Sequence, residues 1–308
     1  MRNQTINNRG LRIGISTLLG AAALALSVHG LALAQSDDSE PANPAEKTLY
    51  VCADPSNMPF SNDKREGFEN KIAALFGEKL GVPVEYYWYP EQMGFGRGTL
   101  KRWIADENRY ACDLVISVGS GFDVGKTTLP YYRSTYAFAY LEGQGLDGVN
   151  TPADLANLPE DKRSKLRIGV FTGSPAGDWV IKNGMITQIV SYRAQSGGFD
   201  SDPSDMVTED LVNGDVDIAM IWGPIAGYYA KQESDADIKV VPFSRKDGTT
   251  FDFPVSMAVR YGNDAWLERV QQLIDDNHEE IVAILEDYGV PLVPLRDEDR
   301  QVQEDDDD

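Results

Sequence analysis

Residues 111–140 restrict the possible folds of this chain more than any other segment, because they contain two different kinds of strand. Residues 113–118 (DLVISV) form a short apolar run, and Gly119 and Gly121 follow it. Such a run indicates a buried parallel strand that ends in a loop close to a ligand. Residues 131–140 (YYRSTYAFAY) contain five aromatic side chains and neither glycine nor proline, which predicts a longer strand. A strand that follows a site loop so closely is suited to lead into a second lobe.

Before that segment, the sequence alternates between strand-like and helix-like patterns. Strands are predicted at 48–53, 84–89 and 113–118, and helices at 68–80 and 99–106. This order predicts a doubly wound sheet with ligand-binding loops at the carboxyl ends of its parallel strands.

A second series of elements follows the aromatic strand. Strands are predicted at 166–171, 187–192, 216–221 and 238–242, and helices from 176, at 203–213 and at 225–231. A strand at 252–260 and a helical stretch at 264–288 then return to the first series. The predicted fold class is therefore α/β with two lobes, each a mixed and mainly parallel sheet flanked by helices.

The predicted first lobe is discontinuous, because the late helices have no sheet of their own. The predicted parts of the chain are a signal peptide (1–34), a linker (35–47), lobe 1 (48–137 plus 252–295), lobe 2 (138–251) and an acidic disordered tail (296–308).

Residues 1–34 have the features of a cleavable export signal. Three arginines flank an apolar stretch at 13–33, and Ala-Leu-Ala at 32–34 is a cleavage motif. A membrane anchor is the alternative, because the apolar stretch is long. We expect cleavage before Gln35, and no later segment is apolar enough to predict a stable membrane insertion.

The charge of the chain limits its partners. The formal net charge is −21, and loss of the three arginines in the signal brings it to about −24. This excess argues against nucleic acid and anionic membrane surfaces, and it favours solubility or a basic partner.

The two cysteines give conflicting indications. An even count in an exported protein favours a bridge between Cys52 and Cys112. On neighbouring parallel strands, however, a stagger of four or five residues separates them by about 13–16 Å. A disulfide tolerates roughly 7 Å, so we expect two unbridged cysteines.

Few residues are suited to catalysis or to metal binding. The mature chain keeps one histidine, His278, which disfavours His-based triads and His-rich metal sites. No Walker loop or dinucleotide-binding glycine motif is present. Asp54, Asp123 and Asp178 could supply paired carboxylates for acid–base chemistry, but solvated loop or helix-cap carboxylates are the simpler interpretation. We expect no enzymatic activity, no metal and no cofactor.

The candidate binding cleft lies at the loops that follow the predicted strands. The ring of Trp222 is either a core residue or a wall of this cleft, and the turn at 172–175 presents backbone N–H groups at a helix start. The residues predicted to contact a ligand or partner are Asp54, Asn57, Phe60, Arg97, Ser120, Phe122, Asp123, Tyr131, Thr172, Ser174 and Trp222.

Four motifs resemble a known family. They are residues 52–60 (CADPSNMPF), 67–70 (GFEN), 128–134 (TLPYYRS) and 221–227 (IWGPIAG). From about residue 49 to 291, the chain resembles the solute-binding-protein-like J proteins that accompany quinoprotein methanol dehydrogenases. These belong to the type II periplasmic-binding-protein superfamily. The resemblance implies two lobes joined by two crossing strands, a periplasmic location and a role in methanol oxidation.

The chain departs from the amino-acid binders of that superfamily. Those proteins place an arginine after the third strand to hold the ligand carboxylate, but residues 120–128 (SGFDVGKTT) contain none. Those proteins also hold the ammonium group with an acidic residue where Trp222 stands here. With both charged contacts missing, the cleft is not expected to hold an amino acid.

Three functions therefore stay open. The resemblance implies an accessory protein that binds a periplasmic PQQ-dependent methanol or alcohol dehydrogenase, and its cytochrome c as a possible further partner, to assemble or activate the enzyme. The alternative is a receptor of an ABC transporter for a small molecule other than an amino acid. The third is an enzyme on this fold, such as a dehydratase, which needs a carboxyl group with a perturbed pKa in the cleft.

Overall fold

The computed structural model describes residues 45–91, 94–119, 121–193, 204–233, 235–244 and 249–300. The predicted signal peptide and most of the linker lie outside the described residues, so both stay predictions. Within the described ranges, no helix has the length and hydrophobicity needed to cross a bilayer.

The strands alternate with helices along most of the chain. The strands are β1 (Leu49–Ala53), β2 (Ser56–Asn57), β3 (Ser61–Asn62), β4 (Val84–Trp88), β5 (Trp103–Ile104), β6 (Arg109–Tyr110), β7 (Leu114–Gly119), β8 (Lys126–Thr127), β9 (Tyr132–Leu141), β10 (Ile168–Phe171), β11 (Ile189–Tyr192), β12 (Ile218–Trp222), β13 (Ile238–Pro242) and β14 (Asp252–Val259). The helices are α1 (Phe68–Leu80), α2 (Phe95–Gly98), α3 (Pro152–Ala156), α4 (Glu160–Arg163), α5 (Pro175–Lys182), α6 (Gly223–Gln232), α7 (Asp264–Asp276) and α8 (His278–Asp287).

The main sheet has the strand order β11-β10-β12-β9-β14-β7-β1-β4, with β13 paired to β9 and β8 paired to β14. Strands β1, β4 and β7 are parallel to each other, as are β10, β11 and β12. The long strands β9 and β14 are antiparallel to their neighbours. The sheet is therefore mixed and mainly parallel, as predicted.

Strand β9 changes its hydrogen-bonding partners halfway along its length. Residues 132–135 pair with β14, and residues 136–141 pair with β12 and β13. We call the crossing of β9 and β14 the hinge. The predicted lobe boundaries at 137/138 and 251/252 fall beside this crossing and stay predictions.

Apolar periodicity explains how the elements pack. On β9, Phe138 and Tyr140 enter one hydrophobic cluster, while Ala137 and Ala139 enter another on the opposite face of the sheet. Helices α1, α7 and α8 bury their apolar faces together against β1, β7 and β14. Helix α1 ends at Leu80, and the next residue, Gly81, caps it with a φ of 71° that is favourable for glycine.

One predicted helical segment is wrong, and the structure adds detail to two others. Residues 99–106 are not one helix, because Trp103 and Ile104 form a hairpin with β6, and the rings of Trp103 and Tyr110 lie 4.9 Å apart. The predicted helix at 203–213 is a π-helix at Met206–Leu211. The stretch at 264–288 is divided into α7 and α8 at Asn277.

The expectation of unbridged cysteines is wrong. Cys52 and Cys112 form a disulfide with their Cα atoms 5.5 Å apart. Strand β7 begins only at Leu114, so Cys112 precedes it and does not follow the line of an extended strand. The amide of Asp113 donates to the carbonyl of Tyr50, which brings this segment against β1.

The expectation of disorder from residue 296 onward is wrong for residues 296–300. Residues 298–300 form a 3₁₀ helix. Asp299 is buried and accepts two hydrogen bonds from the guanidinium group of Arg133, at 2.7 and 2.9 Å. The high local charge therefore does not prevent folding, because a buried arginine pairs with this carboxylate. Residues 301–308 lie outside the described residues.

Candidate functional site

A cavity of about 310 Å³ lies beside the hinge and is lined by residues of β7, β9, β12 and β14 together with the segments around α1 and β4. Its polar lining consists of Glu69, Glu91 and Ser117. Its aromatic lining consists of Phe60, Tyr132, Tyr136, Trp222 and Phe253. Thus the cavity combines an acidic wall with an aromatic wall.

The start of α1 brings Glu69 to the cavity. The amides of Phe68 and Glu69 donate to the carbonyls of Pro59 and Phe60, both at 2.9 Å. Gly67 permits this approach, because a Cβ atom there would lie 2.1 Å from the carbonyl oxygen of Phe60. The side chain of Asn70 accepts a hydrogen bond from the Gly67 amide and closes the first turn. Glu69 and Phe60 are thereby fixed side by side.

Glu91 is positioned by two residues of the loop after β1. Its amide donates to Asp54 at 2.7 Å, and its Oε2 accepts a hydrogen bond from the Asn57 side chain at 3.0 Å. The other carboxylate oxygen of Asp54 accepts from the Ser56 amide at 2.8 Å. Asp54 and Asn57 therefore act on the cavity through Glu91.

Three rings from three strands form an aromatic corner, which we define as Tyr136, Trp222 and Phe253. The ring centroids of Tyr136 and Trp222 are 5.3 Å apart, those of Trp222 and Phe253 are 6.0 Å apart, and those of Tyr136 and Phe253 are 6.4 Å apart. The rings are strongly inclined to one another, an arrangement typical of stable aromatic clusters. Each of the three residues remains partly exposed.

The acidic wall has unusual protonation properties. Burial, and then the charge of Glu91, raises the pKa of Glu69 to about 8, although a hydrogen bond from Ser117 opposes this rise. Partial withdrawal from water, and then the charge of Asp54, raises the pKa of Glu91 to about 7, even though Glu91 keeps contact with solvent. At neutral pH the two groups therefore hold at least one proton between them for much of the time.

Some predicted site residues lie at this cavity or next to it. Phe60 and Trp222 line it. Asp54 and Asn57 hold Glu91, as described above. The hydroxyl group of Tyr131 lies 3.2 Å from that of Ser117, so Tyr131 lies behind the lining. The roles of these residues as ligand or partner contacts stay predictions.

The other predicted residues do not line the cavity. Arg97 is exposed on α2, Asp123 is exposed on the loop before β8, and Phe122 packs near the disulfide. The hydroxyl of Thr172 donates to the carbonyl of Tyr192, and Ser174 caps α5. These polar groups have local backbone partners, which explains their positions without a ligand. Ser120 lies outside the described residues.

Glu69 and Glu91 were not among the residues predicted to line the cleft. A signal for Glu69 was present, because it shares a helical face with Ile72, Ala73 and Phe76 at spacings of three, four and seven residues. A glutamate on such an apolar face is expected to be buried. Glu91 carries no comparable signal, since the loop that holds it is distant in sequence.

Known proteins resemble the chain over most of its length. Protein MoxJ of Paracoccus denitrificans is 25% identical over 295 residues, which cover 92% of this chain and 99% of MoxJ. No family profile matches the chain.

Two solved structures also resemble the chain over most of its length. The crystal structure of periplasmic binding protein XoxJ from Methylobacterium extorquens AM1 is 31% identical with a TM-score of 0.63, covering 80% of this chain and 100% of XoxJ. That of MxaJ from Methlophaga aminisulfidivorans MPT is 26% identical with a TM-score of 0.65, also covering 80% of this chain and 100% of MxaJ.

The fold and its cleft define a two-lobed α/β protein of the periplasmic-binding-protein class, which confirms the predicted fold class. Within that class, the chain belongs to the J-protein family that includes XoxJ, MxaJ and MoxJ. Membership of this family implies a periplasmic location.

We expect that none of the common L-amino acids binds this protein with micromolar affinity. Among the described residues, the cavity lining includes no arginine or lysine for the ligand carboxylate, and two glutamates would repel it. Truncating one partner of a buried charge pair costs roughly 2–5 kcal/mol, enough to move a micromolar receptor toward millimolar affinity. Isothermal titration calorimetry with the twenty amino acids is the measurement. A micromolar dissociation constant for any of them would contradict the expectation.

Proposed function

We propose that this protein is a periplasmic accessory protein of a PQQ-dependent alcohol dehydrogenase, that it binds the enzyme to assist its assembly or activation, and that it catalyses no reaction itself. Its similarity to MoxJ, MxaJ and XoxJ along nearly the whole chain supports a role alongside a methanol or alcohol dehydrogenase. The proposed binding mode is based on one observation, the partly exposed aromatic corner at the cavity.

The aromatic corner has the properties of an interface anchor. Tyrosine and tryptophan are enriched among the residues that dominate binding energy, especially where they form packed clusters. The three rings already contact each other, so a partner would meet a surface that is largely preorganised. This arrangement favours insertion of a protruding apolar side chain or loop of the dehydrogenase.

The charge of the protein affects the rate of encounter more than the choice of site. A net charge near −24 after signal removal would accelerate association with a basic partner and would repel an acidic one. That contribution should weaken as salt increases, because surface charges are screened within about 10 Å at 0.1 M ionic strength.

Replacing Trp222 with alanine should weaken capture of the purified dehydrogenase by at least about 2 kcal/mol, or roughly thirtyfold. The reason is the loss of the central ring of the aromatic corner. The measurement is a titrated pull-down with the mature protein, supported by circular dichroism of the variant. The matched control is Trp103→Ala, which removes an exposed indole from a hairpin that does not line the cavity.

Deletion of residues 301–308 tests the competing idea that the acidic tail recruits the enzyme. This deletion keeps Asp299, whose removal would disturb the fold. Loss of capture on tail deletion, with full capture by the Trp222 variant, would contradict the role of the aromatic corner. If the unmodified protein does not capture a dehydrogenase at all, the accessory role is wrong.

A transport receptor is the second candidate function. The cavity and the buried carboxylate of Glu69 in its lining favour it, because a concave site with a few fixed polar groups is typical of small-molecule binding. Mass spectrometry of a denatured periplasmic preparation would test this candidate. A stoichiometric small molecule in a protein that does not capture the dehydrogenase would support it, and capture of the dehydrogenase by a protein that carries no small molecule would contradict it.

A further inference from the structure

One carboxylate oxygen in the cavity has no partner within the protein. Glu69 is only 4% exposed, and its Oε1 atom makes no hydrogen bond. Burying a carboxylate is costly unless it is paired, and an unsatisfied buried polar atom in a native structure calls for an explanation. Because Glu69 lines the cavity, a ligand can supply a positive charge or a hydrogen-bond donor to this oxygen.

The second carboxylate in the cavity is held in place by its neighbours. Asp54 and Asn57 fix the backbone and one carboxylate oxygen of Glu91 through hydrogen bonds of 2.7 and 3.0 Å. The position of this second carboxylate is therefore fixed by the loop after β1, although its side chain stays in contact with solvent.

The aromatic part of the lining is suited to the same kind of ligand. The aromatic corner presents three rings, and the electron-rich faces of tryptophan, tyrosine and phenylalanine attract cations. Among the described residues, no lining side chain is basic, so an anion would meet only repulsion. In the same part of the chain, no group of three or more His, Cys, Asp or Glu residues is arranged to hold a metal ion. An organic cation with an apolar surface can pair with the acidic wall through its charge and contact the aromatic rings through its apolar groups.

We propose that this cavity binds a small organic cation of the alkylammonium class, with the carboxylate of Glu69 as its counter-ion and the aromatic corner around its alkyl groups. The inference does not depend on the dehydrogenase, because it concerns a cavity complete within this chain.

Binding is linked to a proton. Burial and the nearby acidic groups favour a protonated Glu69 in the empty cavity, since its pKa is raised to about 8. The cation favours the ionised form, so Glu69 releases its proton to solvent when the cation binds. Affinity should rise with pH until Glu69 is ionised. The titratable and polar groups around Glu69 are Asp54, Tyr86, Glu91, Ser117, Tyr131 and Tyr132.

The test compares choline with glycine betaine by calorimetry on the mature protein. Both carry a trimethylammonium group, but glycine betaine has a carboxylate where choline has a CH2OH group, and the acidic wall should reject that carboxylate. We expect saturable choline binding that strengthens on the order of twentyfold between pH 6.5 and 8.5. The measured binding enthalpy should change with the ionisation enthalpy of the buffer, because a proton is released on binding. Glycine betaine should bind much more weakly.

Glu69→Gln should weaken choline binding at pH 8.5 by at least about thirtyfold, the loss expected when one partner of a buried charge pair is removed. The matched control is Glu78→Gln on the exposed face of α1, which should bind choline normally. A second readout distinguishes a ligand role from a structural one. Because the folded pKa of Glu69 is raised, the wild-type protein should lose stability as pH rises from about 4.5 to about 8. Glu69→Gln should reduce this loss.

Several outcomes would overturn the proposal. They are no saturable heat with choline at pH 8.5, equal affinity for glycine betaine, or choline binding that Glu69→Gln leaves unchanged. Saturable Ca²⁺ binding that depends on Glu69 would assign the site to a metal ion and would also overturn it. The comparison of choline with glycine betaine needs only the wild-type protein, so the test holds even if a variant does not fold. Failure to capture a dehydrogenase would not bear on any of these results.

Discussion

Replacing Asp299 with alanine should lower the free energy of unfolding by about 3–5 kcal/mol, the cost of leaving one partner of a buried ion pair alone. The side chains of Arg133 and Asp299 are 3% and 4% exposed, and the guanidinium group forms a bidentate hydrogen-bonded ion pair with the carboxylate. Arg133 also donates to the carbonyl and the carboxylate of Asp252. Without Asp299, the guanidinium group would stay buried with half of its negative partners removed.

Urea denaturation is the measurement, and Asp297→Ala is the matched control. Asp297 lies two residues earlier in the same segment, has the same charge and is exposed. Its substitution should change stability by no more than about 0.5 kcal/mol. Equal effects of the two substitutions would show that the buried contact contributes nothing. The double variant Arg133→Met/Asp299→Leu should recover part of the loss, since it removes both buried charges.

The effect of Asp299 should also depend on pH. Hydrogen bonds from Arg133 are the main cause that lowers the pKa of Asp299. A lowered folded pKa means that the stabilisation is present above the unfolded pKa of about 3.9 and disappears as pH falls through the folded value. The difference between wild type and Asp299→Ala should therefore be constant near neutrality and should shrink in acid.

This contact has a structural consequence at the hinge. Arg133 lies on β9 and Asp252 on β14, while Asp299 comes from the end of the described chain. Ser134 on β9 also donates to the carbonyl of Pro291. Arg296 of the same segment pairs with Asp252 on β14. The C-terminal segment is therefore bonded to both strands of the hinge, where any relative movement of the predicted lobes would be concentrated.

Sequence patterns predicted the regular elements well where local periodicity determines them. Helix α1 begins and ends where the spacing of apolar residues and Gly81 predicted. The strands β1, β7 and β10 differ from prediction by one or two residues at their starts. These features depend on neighbours along the chain, so a single sequence carries enough information to locate them.

Contacts between residues that are far apart in the sequence could not be predicted from local periodicity. Arg133 and Asp299 are separated by 166 residues, and the tail composition alone indicated disorder. Glu91 reaches the cavity only because Asp54 and Asn57 hold its loop. Trp222 and Phe60 were placed in the cleft by the general rule for strand ends, yet the same rule included residues with purely local partners, such as Ser174. The sequence indicated which edge of the sheet to consider but not which side chains point into the cavity.

The cysteine pair shows how a small error in strand register changes a chemical conclusion. The prediction placed Cys112 at the start of an extended strand that runs parallel to β1. In the structure Cys52 lies opposite Val115, and the chain turns before β7 begins. The two cysteines are therefore close, and the disulfide lies in a buried cluster with Leu100 and Val118.

Removing this disulfide should destabilise the protein by about 2–5 kcal/mol, because it closes a loop of 60 residues in the unfolded chain. The variant is Cys52→Ala/Cys112→Ala, measured by urea denaturation under oxidising and reducing conditions. Reductant should bring the wild-type protein toward the stability of the variant once the buried bond is reduced, and it should not affect the variant itself. This second comparison separates the cross-link from the packing of two small side chains. If the variant is as stable as the oxidised wild type, the bridge does not stabilise the β1–β7 pairing that supports the acidic wall of the cavity.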